Sequence, residues 1–194
     1  NNLTIGPGER EIVKSVQTFY KPLLWSDETP FVYTAKQKIT EDGNELDRYS
    51  TPFGIRTAEF DADRGFLING VQKKLKGMCI HHDLGPLGAA LNDHVLKSRL
   101  IALKEMGCNA IRCAHNPYSP SFYSLCDELG LFVIDEFFDE WKKGKREYSY
   151  HLYFDDWWDR DLTDQIRQNR NHPSIILWSI GNEISDKATE EGVR

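Results

Sequence analysis

In the run Ser174-Ile175-Ile176-Leu177-Trp178-Ser179-Ile180-Gly181-Asn182-Glu183 an apolar stretch ends in a small residue, an amide and a carboxylic acid. A glutamic acid at the carboxyl end of a strand can give a proton to a departing group and, once ionised, take one from water. An isolated Asn-Glu pair at such a place more often only caps the next helix. This pair has company, because other apolar stretches also stop at polar residues. His81, His82 and Asp83 follow one; Arg112, His115 and Asn116 close a second; Asp135 and Glu136 close a third.

The elements that must carry these residues follow from periodicity. The first ~70 residues read as β, with segments at Glu11 to Tyr20, Phe31 to Ile39 and Gly54 to Phe60. Asp42-Gly43-Asn44 marks a turn between them, and Asn69-Gly70 between Phe66-Leu67-Ile68 and Val71 is a two-residue hairpin signal. From Leu75 the pattern changes to alternating strands and helices. Leu75 to Ile80, Asn109 to Ala114, Leu131 to Ile134 and Ser174 to Ile180 read as strands. Ile175 to Leu177 is continuously apolar, as in a parallel strand covered on both faces. Val95, Leu96, Leu100, Leu103 and Met106 recur at helical spacing before Gly107. Ser119-Pro120 starts a second helix that Gly130 ends, with Leu125 and Leu129 on one face. Trp158, Leu162 and Ile166 mark a third, with Asp155 and Asp156 in its first turn. Repeated β-α units predict a parallel α/β architecture. His81 to Gly88 is neither a dinucleotide fingerprint nor a phosphate loop. Polar residues at every strand end therefore favour a (β/α) barrel, which gathers its site on that rim.

Bulk properties narrow the function. The chain has 194 residues, 40% hydrophobic and 28% charged, with 24 basic against 30 acidic residues and a net charge of −6. No run approaches the roughly 20 apolar residues of a spanning helix. Beyond Lys142-Lys143-Gly144-Lys145-Arg146 the basic residues form no patch, so neither a membrane nor nucleic acid is an expected partner. Cys79, Cys108, Cys113 and Cys126 lack metal-ligand or redox spacing and read as small buried apolar residues. His81, His82 and Asp83 are adjacent and do not converge easily on one ion. No metal or other cofactor is expected: composition would allow a divalent or monovalent cation, but no spacing supports one. No strand ends in a lysine of the kind an aldolase-like barrel needs, since Lys104 and Lys142 fall on a helix and in a loop.

Asn109-Ala110-Ile111-Arg112-Cys113-Ala114-His115-Asn116-Pro117, together with Asn171-His172-Pro173 through Trp178-Ser179-Ile180-Gly181-Asn182-Glu183, resembles the two signature regions of glycoside hydrolase family 2, the family of β-galactosidases, β-glucuronidases and β-mannosidases. Leu24-Trp25-Ser26, Phe53-Gly54-Ile55-Arg56 and Phe66-Leu67-Ile68-Asn69-Gly70 are similar to the family's passage from an immunoglobulin-like domain into its catalytic barrel. The resemblance implies an α/β chain: a partial TIM (β/α)8 barrel of the first four β-α units, preceded by part of an immunoglobulin-like β-sandwich. Residues 1–60 would be the sandwich part and 61–194 the barrel part.

It further implies that Glu183 is the general acid/base of a retaining β-glycosidase and that Asn182 binds the sugar's 2-hydroxyl. Arg112 would lie near the nucleophile, His115 and Asp83 would line the sugar subsite, and Asn116 and Trp141 are further substrate-binding candidates. His81, His82, Glu136 and Asp139 could equally brace their neighbours. Trp157, Trp158 and Trp178 are expected to pack rather than stack on sugar. The Trp-Ser-Ile-Gly-Asn-Glu form and His81 to Gly88 look galactosidase-like, with β-glucuronidase as the alternative. A non-catalytic carbohydrate-binding or assembly module is the alternative outside enzymes. The family's nucleophile, a second glutamate on a later strand, has no counterpart here. The expectation is therefore a fragment, inactive alone, whose exposed sheet edges would favour association, for example as a homo-oligomer.

Overall fold

The computed structural model describes residues 3–185. The first strand pair is a hairpin of β1 (Tyr33–Glu41) and β2 (Asn44–Phe53), joined by Asp42 and Gly43. Both turn residues have positive φ, 50° and 83°, as a two-residue hairpin turn demands. A second antiparallel sheet contains β3 (Ala58–Asp61), β4 (Gly65–Ile68) and β5 (Val71–Gln72). Asn69 and Gly70, at φ 52° and 77°, close its hairpin. The segment Glu11 to Tyr20, expected as a strand, is irregular and exposed. Its backbone has no ladder partner among the described residues, and apolar content alone does not make a strand.

The parallel unit follows: β6 (Gly77–His81), α1 (Asp93–Glu105), β7 (Ala110–Ala114), α2 (Pro120–Leu129), β8 (Phe132–Glu136), α3 (Phe154–Asn169) and β9 (Ile175–Ser179). The strands pair in the order β6-β7-β8-β9, all parallel, which is the first half of a (β/α) barrel wall. Asn92 caps α1 by accepting from the backbone N–H groups of His94 and Val95. Ser119 occupies the cap of α2, but its hydroxyl pairs with Ser121 instead. Gly130 ends α2 in the left-handed region, where a Cβ would meet the Asp27 backbone.

The helix-facing side of the sheet is the main core. Ile80, Ile111, Cys113, Val133 and Ile175 pack there against Leu96 and Leu100 of α1 and Phe122 and Cys126 of α2. Val95 and Met106, expected on that face of α1, are exposed. A second cluster joins the amino-terminal region to the sheet: Trp25, fully buried, meets Phe66 and Phe132 and donates from Nε1 to the Asp127 carbonyl at 2.9 Å. A third holds Phe137, Phe138 and Phe154, with Leu162, Ile166 and Trp178 against it. Trp178 therefore packs, as expected. Trp157 and Trp158 are half-exposed, the first under the Arg160 guanidinium and the second stacked on Phe154.

The opposite face of the sheet is open. Leu177, expected to be covered, is exposed because β9 is an edge strand and nothing described closes the interior over it. Cys79, expected as a buried hydrophobe, is also exposed and lies 3.5 Å from an Arg112 guanidinium nitrogen.

Candidate active site

Strand alternation decides which polar residues meet. The parallel register sets Cys79 beside Arg112 and His81 beside Ala114, and β8 carries Glu136 to the level of Ser179 on β9. Successive residues of a strand face opposite sides, so Asp135 and Glu136 part company. Asp135 faces the helices, where the Tyr123 hydroxyl donates to it at 2.7 Å. Glu136 faces the open interior.

Glu136 is the hub of the rim, although it is only 1% exposed. Arg112 donates to both of its oxygens from Nε (3.1 Å) and Nη2 (2.9 Å), His115 Nδ1 lies at 2.7 Å, and the Ser179 hydroxyl donates at 2.7 Å. A buried carboxylate is tolerable only with such a set of charged and neutral donors. An ionised carboxylate accepts only, so the proton of a neutral His115 ring sits on Nδ1 and Nε2 is left as an acceptor.

The network continues to the residues after β9. Arg112 Nη2 also donates to Asn182 Oδ1 at 2.9 Å, while Asn182 Nδ2 donates to Asp139 at 2.9 Å. These two contacts fix the amide's orientation and leave one Nδ2 proton for a ligand. The Asn182 backbone N–H donates to the Phe138 carbonyl at 2.9 Å, tying this segment to the loop after β8. Lys145 from that loop donates to Asp139 (2.8 Å) and to the Asn182 carbonyl (2.9 Å). Burial tends to raise the Asp139 carboxyl, but hydrogen bonds from Lys145 and Asn182 outweigh it and hold the group below the usual carboxylate value. Glu183 follows with φ 50°, uncommon for a residue with a side chain. Its carboxylate is 82% exposed and 3.8 Å from Lys145 Nζ.

The other sequence candidates are distributed unevenly. Asn116 lines a cavity of about 430 Å³ with His115, Asp139, Tyr150 and Gln165. Trp141 donates from Nε1 to the Ile180 carbonyl at 2.9 Å and shares with Glu183 and Lys145 the wall of a smaller cavity of about 210 Å³. Asp83 turns to α1, where Arg99 donates to its carbonyl and lies 3.4 Å from its carboxylate. His81 meets the His115 ring edge-on at 5.4 Å, whereas His82 stacks on Tyr118. No group of metal-binding geometry occurs among the described residues.

Sequence reading undervalued two members. Ser179 carried no signal beyond being small, and Lys145 sat in a basic run that resembled a solvated loop; only its place in the loop after β8 marked it.

The chain is similar to known proteins over most of its length. A sequence model described as "Glycosyl hydrolases family 2, TIM barrel domain" matches residues 62–192, and one described as "Glycosyl hydrolases family 2" matches residues 2–56. The chain is 49% identical over 179 residues to "Beta-galactosidase BoGH2A" of Bacteroides ovatus, covering 92% of this chain and 21% of that protein. It is 47% identical over 179 residues to a "Putative beta-glucuronidase" of Formosa agariphila, covering 91% and 17%. Among solved structures, a beta-glycosidase from Bacteroides vulgatus superposes with a TM-score of 0.85 at 51% identity, covering 89% of this chain and 22% of that one. The chain thus spans about a fifth of the length of these curated relatives. With one family model over the parallel unit and another over the residues before it, the chain belongs to glycosyl hydrolase family 2.

Proposed function

We propose that this chain supplies the acid/base half of a retaining β-glycosidase site that acts on terminal β-galactosides. Residues 1–60 would complete an immunoglobulin-like sandwich and 61–194 would begin the barrel. Glu183 protonates the departing glycosidic oxygen, then as carboxylate takes a proton from the water that releases the sugar. The nucleophile is a second carboxylate from outside the chain, since double displacement needs two carboxylates roughly 5–5.5 Å apart. The observation that carries the reading is the Asn182 amide, locked between Arg112 and Asp139 immediately before Glu183. A side chain held at both ends presents its remaining N–H to a hydroxyl without further ordering cost.

The geometry also refines the role of Arg112. Glu136 neutralises it bidentately, so the pair acts chiefly to orient Asn182 and His115, and little net positive charge is left for the nucleophile. Asp83, engaged with Arg99, contributes at the edge of the sugar site at most.

A β-glucuronidase activity is the second reading, favoured by the 47% identity to a putative β-glucuronidase. Hydrolysis of a panel of nitrophenyl β-glycosides by the full-length protein, its Glu183→Gln variant and this chain alone tests both readings. We expect galactoside-selective turnover that collapses in the variant, with activated leaving groups partly spared, and none from the chain alone. Selectivity for glucuronides would favour the second reading, and no turnover on any sugar would indicate a carbohydrate-binding module.

A further inference from the structure

We propose that Lys145 is a positioning residue for the Asn182-Glu183 segment: its ammonium group clamps Asp139 to the Asn182 carbonyl and holds a cation beside the Glu183 carboxylate. This rests on the reading of Glu183 as the acid/base. An ammonium group has three protons and accepts none, and three oxygens surround this one. Asp139 Oδ1 at 2.8 Å and the Asn182 carbonyl at 2.9 Å are hydrogen-bonded; Glu183 Oε2 at 3.8 Å is within ion-pair reach but beyond a hydrogen bond.

The lysine is itself tied at its backbone. Its N–H donates to the Glu140 carboxylate, whose other oxygen accepts from the His151 N–H at 3.0 Å. Gly144, immediately before it, runs against the His151 ring where a Cβ would collide. The loop after β8 therefore delivers the ammonium group to the segment after β9 from a braced base, and only 30% of the side chain is exposed. Among the described residues, the charged groups around Glu183 on these two segments are Lys145, Lys143, Asp139 and Glu140, with His151 behind Glu140; Arg112, His115 and Glu136 connect to its neighbour Asn182.

The consequence is geometric. Without the ammonium group, Asp139 and the Asn182 carbonyl lose their shared donor, so the Asn182 amide and the residue after it are held less firmly.

The test compares Lys145→Met and Lys145→Arg with wild type in the full-length protein. Lys145→Met is expected to lower kcat about tenfold with a smaller change in KM, and Lys145→Arg, which keeps a cationic donor, to restore most of that loss, with the melting temperature of both variants near wild type. Wild-type kcat in Lys145→Met, or a loss that Lys145→Arg leaves unrescued, would overturn the proposal. If Lys145→Met does not fold, Asp139→Asn decides instead: it weakens the acceptor that Lys145 and Asn182 share and should lower kcat with little change in KM, and an unchanged kcat would overturn the clamp. Glu183→Gln separates the two inferences. If it retains turnover on unactivated glycosides, the acid/base reading fails; if it collapses while Lys145→Met keeps the wild-type kcat, only the clamp fails.

Discussion

Asp135 and Glu136 are consecutive on β8 and both buried, yet they are accommodated in opposite ways. Asp135 faces the helices and is surrounded by neutral donors, the Tyr123 hydroxyl at 2.7 Å and the Gln165 amide at 3.4 Å. Burial pushes its carboxyl above the ordinary value, and these hydrogen bonds offset only part of the rise. Glu136 faces the interior and has a guanidinium, an imidazole and a hydroxyl. Neutral donors can satisfy a buried carboxyl whose job is to lock helices onto a sheet. The carboxyl group that Arg112 and His115 share has a guanidinium beside it, which compensates for its burial. The helix side of this strand thus joins helices to the sheet, and the interior side carries the candidate site.

The contrast is sharpest in substitution, and the largest effect belongs to Glu136. Glu136→Gln leaves Arg112 and His115 without their shared acceptor; we expect a loss of at least about 100-fold in kcat/KM for the full-length protein and of about 3 kcal/mol in local stability, read as hydrogen exchange of β8. Near-wild-type turnover would break the division between the two faces. Tyr123→Phe removes the helix-side donor to Asp135 and the acceptor used by the Tyr118 N–H and the Gln165 amide. It should cost about 2 kcal/mol of stability with kcat/KM nearly unchanged.

A third prediction separates the faces by pH. The Asp135 carboxyl is raised in the folded state, so its contribution is fully present below the unfolded value, about 4, and is lost as pH rises through the folded value. Asp135→Asn should therefore gain stability relative to wild type as pH rises from about 4 toward neutrality. Asp139 is depressed, so its contribution is present above about 4 and is lost as pH falls through its folded value. Asp139→Asn should flatten only that acid limb in thermal melts. Parallel profiles for the two variants would dissolve the contrast. The smallest effect is expected for Trp141→Phe, which loses one hydrogen bond to Ile180: about 1 kcal/mol in local exchange, and a modest rise in KM if the smaller cavity borders the substrate.

Much of this was legible in the chain. The Asp42-Gly43 and Asn69-Gly70 turns, the Gly130 stop and the parallel strands follow from local rules, because turn chemistry and periodicity act within a few residues. So did the convergence of Arg112, His115 and Asn182, since strand ends in a parallel sheet must share a rim. Other assignments were not local. Glu11 to Tyr20 is apolar enough for a strand but has no described neighbour to pair with, and Cys79 has core composition on a face that stays open. Asp83 follows the first strand of the sheet like a rim residue, but Arg99 on α1 draws it outward. Glu136 could be named as a bracing candidate, but that it is buried at the centre of the rim depends on which face of β8 carries it, because one residue of strand reverses the face.

By itself, then, the sequence determined the order of strands and helices in the parallel unit, the hairpin turns, the family and the polar character of the rim. Tertiary structure decided which polar groups touch. Arg112 and Asn182 are 70 residues apart, and Lys145 meets the Asn182 carbonyl across 37. Such contacts depend on strand register and loop path, which emerge only when distant segments pack. That is why Glu183 and Glu136 could be named as candidates from the chain, while the contacts of Glu136 with Arg112, His115 and Ser179 and the place of Lys145 beside Asn182 came to light only in the fold.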